Sequence, residues 1–107
     1  MYARMLTIEL LPEELEEAVK LYRQVVVPAA QKQHGFRGVL LLTDRMTGMV
    51  RSILLWDSPD DNFEEPTYQN VLAAFNNKIT IKSFTREGYD VSAIGGPRNG
   101  PPTPPTF

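Results

Sequence analysis

Between Phe36 and Asp57 the apolar residues fall into two blocks joined by a polar turn, and neither block has a polar side. In the first, Val39 and Leu41 project to one face of a strand while Leu40 and Leu42 project to the other. In the second, Ile53 and Leu55 oppose Leu54 and Trp56. A strand packed on one side only alternates apolar with polar, so these two predict a sheet covered on both faces. The turn, Asp44-Arg45-Met46-Thr47-Gly48, supplies polar residues and a glycine able to take a positive φ.

Tyr2 to Leu10 reads as a first strand. Pro12 then suits the first turn of a helix, and Glu13, Glu14, Glu16 and Glu17 favour the positive end of its dipole. Leu15, Ala18, Val19, Tyr22, Val25, Val26 and Ala29 recur at helical spacing and define one apolar stripe. Pro28 lies inside that stripe and predicts a kink or a loose final turn, and Gly35 is the stop. After Trp56, Ser58-Pro59-Asp60-Asp61 has the make-up of a helix start: a capping serine, a proline and two acids. Pro66 interrupts, and Thr67 restarts a helix whose Tyr68, Val71, Leu72 and Phe75 share a face, with Asn76 and Asn77 at its end. Ile79 to Ser83 is ambiguous, and Arg86 to Ile94 reads as the last strand.

The order is strand, helix, strand, strand, helix, strand. It predicts an α+β, ferredoxin-like βαββαβ domain over residues 1–94, a four-stranded antiparallel sheet with two helices on one face. Residues 95–107 form a Pro/Gly-rich tail unsuited to covering the other face. Leaving the large apolar side chains of that face wet would forgo roughly 1.5–3 kcal/mol each. A second copy packed sheet to sheet is the expected cover, so a homodimer forming a dimeric α/β barrel is expected.

Composition narrows the function. With 107 residues the chain is one domain, and 11 basic against 13 acidic side chains leave no footprint for nucleic acid. The absence of cysteine excludes disulfides, thiol catalysis and thiolate metal sites. With a single histidine a metal would need carboxylates alone, and Glu13 to Glu17 read better as a solvated first turn, so no metal is expected. There is no P-loop, dinucleotide glycine pattern or nucleophile elbow. Arg4, Thr7 and Glu9 are wrong for a secretory leader, and runs such as Val25 to Ala30 are too short to span a bilayer. A cytoplasmic protein without a membrane partner is expected.

Several segments together resemble the antibiotic biosynthesis monooxygenase domain family. They are Tyr2-Ala3-Arg4, Val26-Val27-Pro28-Ala29-Ala30, Gly35-Phe36-Arg37-Gly38, Leu55-Trp56-Asp57-Ser58 and Arg86-Glu87-Gly88-Tyr89-Asp90-Val91. The resemblance covers Met1 to about Ile94. It implies a dimeric α/β barrel with a ligand cleft between helices and sheet, bordered by Trp56. The family is chemically mixed and holds cofactor-free monooxygenases of polyketide phenols, quinol oxygenases, haem-degrading enzymes and members without known activity. The haem-degrading branch needs an asparagine on strand one and a histidine on the second helix, and this chain has neither. The resemblance therefore implies a monooxygenase without cofactor acting on an apolar aromatic compound. A non-catalytic homodimer that binds a small ligand, or serves a structural role, is the alternative.

Trp56 is the first candidate for ligand binding, as a wall for a flat ring with an indole N–H to donate; its other role is plugging the core. Leu72 and Phe75 would complete that wall. Tyr68 and Asn70 on the second helix are candidates to hold a deprotonated substrate, against simple exposure to water. Histidine is the residue type suited to acid–base chemistry, which makes His34 a catalytic candidate, although its place at a helix end also suits the negative dipole. Arg4, Arg51 and Arg86 are the cations that strand geometry could turn towards a cavity, with Arg51 opposite in parity to Trp56. In the tail, Pro101/Pro104 and Pro102/Pro105 have Pro-x-x-Pro spacing, for which docking in an aromatic groove competes with disorder or packing on a partner subunit.

Overall fold

The computed structural model describes residues 1–98; the Pro-x-x-Pro spacing of the tail lies outside them. Strand β1 spans Tyr2–Leu10, β2 Phe36–Asp44, β3 Met49–Trp56 and β4 Ile81–Asp90. They make one antiparallel sheet in the order β2-β3-β1-β4, with helices after β1 and after β3. This is the ferredoxin-like α+β plan that the element order predicts. The β2–β3 turn closes as expected, with Gly48 at φ +79° and its N–H donating to the Asp44 carbonyl at 2.9 Å.

The first helical region changes pitch along its length. A 3-10 turn at Pro12–Glu14 leads into α1, Leu15–Leu21; a π turn at Tyr22–Val26 follows, and α2 completes it at Val27–Gln31. Pro28 has no N–H to return to the carbonyl four residues back. The chain answers by widening: the Val27 N–H donates to the Tyr22 carbonyl, five residues back. The disturbance expected at Pro28 as a kink or loose end is thus a π turn just before it. Gly35, at φ +80°, ends the region, and a Cβ there would run into the Asp61 carboxylate.

Three other expectations are corrected. Ser58-Pro59-Asp60-Asp61 starts no helix, because Asp61 folds back on Ser58. The Ser58 N–H donates to Asp61 Oδ2 and the Asp61 N–H to the Ser58 carbonyl, each at 3.1 Å. Arg4 clamps this turn, donating to the carbonyls of Pro59 at 2.8 Å and Asp61 at 3.0 Å. Helix α3 starts later, at Glu65, and runs to Asn76. Pro66 therefore opens that helix instead of interrupting it, at a position where its missing N–H breaks no bond. The last strand also lies earlier than the expected Arg86–Ile94, beginning at Ile81 and ending at Asp90. Pairing with the whole of β1 sets its bounds, from Leu10↔Ile81 to Tyr2↔Asp90, across a run of polar residues on an edge strand.

Register assigns the faces. Tyr2, Arg4, Leu6 and Ile8 stand opposite Trp56, Leu54, Ser52 and Val50, and this side packs under the helices. The core is Leu10, Leu15, Ala18, Leu21, Val50 and Ile79, with Ile8, Val25, Leu41, Phe75 and Ile81 packed against it. On the other side Met5 and Leu40 both flank Ile53, and Ala3 and Gly38 flank Leu55. There Leu40, Leu42 and Tyr89 are about half exposed. Among the described residues, no helix is long and apolar enough to cross a membrane.

Candidate functional site

A cleft of about 760 Å³ opens between the sheet and the helices. Leu6, Ile8 and Leu54 pave it from the sheet, while Ala18, Val19 and Val26 line it from the first helical region. Val71, Leu72 and Phe75 close it from α3, three residues of that helix's apolar stripe. A largely apolar cavity of this size, with a few convergent polar groups, suits a small organic ligand.

The polar groups form two centres. One is buried: Tyr22, the first residue of the π turn, meets Ser52 of β3, hydroxyl to hydroxyl at 2.6 Å. Burial pushes the Tyr22 phenol up to about 12, the Ser52 hydrogen bond opposing this only in part, so it stays protonated at neutral pH. The other centre is nearer solvent. The exposed Arg86 of β4 donates to the Tyr68 hydroxyl, its guanidinium 5.2 Å from the centre of the Tyr68 ring and 5.5 Å from that of Phe84. Arg4 also reaches the cleft wall, its guanidinium 5.4 Å from the Tyr2 ring centre and tied to the 58–61 turn.

The residues singled out in the sequence divide. Tyr68, Leu72 and Phe75 line the cleft. Asn70 does not: two positions from both Tyr68 and Leu72, it emerges on the far side of α3, where it is exposed. His34 is exposed in the turn after α2, away from the lining residues. Trp56 is fully buried and does not line the cleft. Phe36 and Phe63 meet its ring edge-on, with centroids at 5.7 and 5.9 Å, and it is Phe63 that contributes to the cleft wall. Among the described residues the Trp56 indole N–H has no hydrogen-bond partner. Arg51 lies on the opposite face of the sheet, paired between Thr7 and Leu42.

The Tyr22–Ser52 pair escaped the sequence reading, which placed Tyr22 in the helix stripe and passed over Ser52. Its signal was present: Ser52 is the one polar residue among Val50, Leu54 and Trp56 on the helix-facing side of β3. Among the described residues no cluster of three or more His, Asp or Glu could hold a metal ion.

A four-stranded sheet of this order with a cleft beneath its helices defines a ferredoxin-like α+β fold. No protein-family profile matches the sequence, and no curated protein matches it significantly. Solved structures do match. The monooxygenase ActVA-Orf6 of Streptomyces coelicolor, in complex with the ligand nanaomycin D, superposes with a TM-score of 0.74 at 13% identity, covering 90% of this chain and 91% of that one. A proposed antibiotic biosynthesis monooxygenase from Deinococcus radiodurans gives a TM-score of 0.66 at 13% identity, over 90% of this chain and 97% of that one. The heme-degrader MhuD of Mycobacterium tuberculosis, with two hemes bound in its active site, gives 0.62 at 18% identity, over 90% of this chain and 100% of that one. The fold of this chain is that of the antibiotic biosynthesis monooxygenase domain.

Proposed function

We propose that the protein is a cytoplasmic, homodimeric, cofactor-independent monooxygenase that takes an apolar aromatic phenol or anthrone into the cleft. The observation that carries this reading is the apolar cleft itself, with a cation at its solvent side: Arg86, held against Tyr68. A guanidinium so fixed favours the substrate as its oxyanion, which is the form able to give electrons to dioxygen. The substrate's proton leaves to solvent at the exposed side. Electrons pass from the anion to O2, a C–O bond forms at the activated carbon, and the O–O bond then breaks. One oxygen stays as a carbonyl and the other leaves as water, so that a CH2 group and O2 give C=O and H2O. The substrate is its own reductant in this scheme. The half-exposed leucines of the second sheet face support dimerisation as the cover for that face.

The test is oxygen uptake with a tricyclic phenolic anthrone such as dithranol. Wild-type protein consumes one O2 per carbonyl formed, and Arg86→Gln lowers the rate by about 10- to 100-fold with the fold intact. Binding of dithranol without oxygen uptake sinks the enzymatic reading and favours a ligand-binding homodimer. One observation speaks for that second reading: His34, the chain's single histidine, stands outside the cleft.

A further inference from the structure

We infer that the Tyr22–Ser52 hydroxyl pair is a ligand subsite, presenting one O–H donor into the cleft to select substrates with a carbonyl or other acceptor oxygen at their buried end. The inference rests on the reading of the cleft as a small-aromatic site and adds the polar feature its occupant must carry.

Proton counting supports it. Two hydroxyls hold two hydrogens, and the single bond between them uses one. Whichever oxygen donates, the other keeps a hydrogen. Among the described residues neither hydroxyl has a second partner, although both residues line the cleft and are more than nine-tenths buried. An uncommitted donor in such a place has a cost that an acceptor from a ligand removes. The π turn adds to this, because it begins at Tyr22, and single π turns recur where a helix serves a site. High phenol pKa keeps the donor available well above neutral pH.

The sheet register fixes where the acceptor must lie. Leu6 of β1 pairs with Ser52 on one side and Arg86 on the other, so one row across the floor reads polar, apolar, polar. Two strand spacings, roughly 9.5 Å, separate the ends of that row. A fused bicyclic or tricyclic ring lying over Leu6 would place one oxygen at Tyr22–Ser52 and another at Arg86–Tyr68. Both Tyr22 and Ser52 act here as positioning and selecting groups, with the chemistry at the other end.

The test uses two matched bicyclic probes and calorimetric binding. One is a hydroxytetralone with hydroxyl and carbonyl at opposite ends; the other is the hydroxytetralin lacking only the carbonyl. Wild-type protein should bind the ketone about 5- to 10-fold more tightly, the worth of one hydrogen bond. Tyr22→Phe combined with Ser52→Ala leaves no hydroxyl unpaired and so should fold; in it the preference falls to about one, while hydroxytetralin affinity moves less than about 2-fold. Ser52→Ala alone serves as the second variant: the Tyr22 O–H, no longer shared, remains a free donor, so the preference should persist, and its loss there overturns the donor count. A preference that survives in the double variant, or none in the wild type, overturns the subsite and leaves the cleft reading standing. Failure of hydroxytetralin to bind wild-type protein overturns the cleft reading, and the subsite with it.

Discussion

The two faces of the sheet are made from similar residues and meet opposite surroundings. Towards the helices Val50 and Trp56 are 5% and 0% exposed, whereas Leu40 and Leu42, on the other face, are 45% and 49% exposed. The covered face is also the one that carries hidden polarity, in Ser52, and a cleft. The open face has its apolar residues contiguous across three strands, with Met5, Ile53 and Leu40 in one row. The covered face breaks its apolar run at Ser52, and the open face breaks its own at Arg51, between Thr7 and Leu42.

Breaking this contrast gives the largest effect. Leu40→Glu together with Leu42→Glu would bury unpaired carboxylates in the proposed interface, at several kcal/mol each, and should leave a folded monomer by sedimentation where the wild type is a dimer. A wild type that sediments as a monomer at micromolar concentration removes the interface altogether. On the covered face, Leu15→Ala should cost about 2–5 kcal/mol in urea unfolding whatever the oligomeric state, since Leu15 is buried by its own chain. Gly35→Ala should cost about 1–2 kcal/mol, from the positive φ and the crowding by Asp61, and lower the melting temperature by a few degrees.

The smallest effect concerns pH. The Tyr22 phenol lies at about 12 in the folded chain, against an ordinary value near 10. Its contribution is fully present below about pH 10 and is lost as pH rises towards 12, because the unfolded chain gives up that proton first. Stability of the wild type should therefore fall more steeply above pH 10 than that of Tyr22→Phe in thermal unfolding. Parallel curves would contradict a buried, protonated phenol.

Much of this architecture was legible because long elements have strong periods. The helix after Pro12 declares itself by a 3.6-residue stripe, and the β2–β3 hairpin by two apolar runs around a polar turn. The failures are local and physical. Ser, Pro and Asp suit turns as well as caps, and the Asp61 carboxylate chose the Ser58 amide over a helix. β4 borrows its bounds from β1, and its own residues barely alternate. In the site, the α3 stripe gave Tyr68, Leu72 and Phe75 their common direction, which the structure turns towards the cleft. Trp56 was read with the correct parity, but parity says nothing of Phe63, which arrives from an irregular segment. Tyr22 and Ser52 are 30 positions apart, and only the packing of a widened helix on β3 brings their oxygens together.

This chain has a single tryptophan, its one long-wavelength intrinsic emitter, and it sits sealed in an aromatic nest one ring removed from the cavity. Its emission should be blue-shifted and deaf to soluble quenchers in the resting protein. Any occupant that nudges Phe63 would change that signal, so the molecule arrives with its own label for titrations, stopped-flow mixing and compound screening.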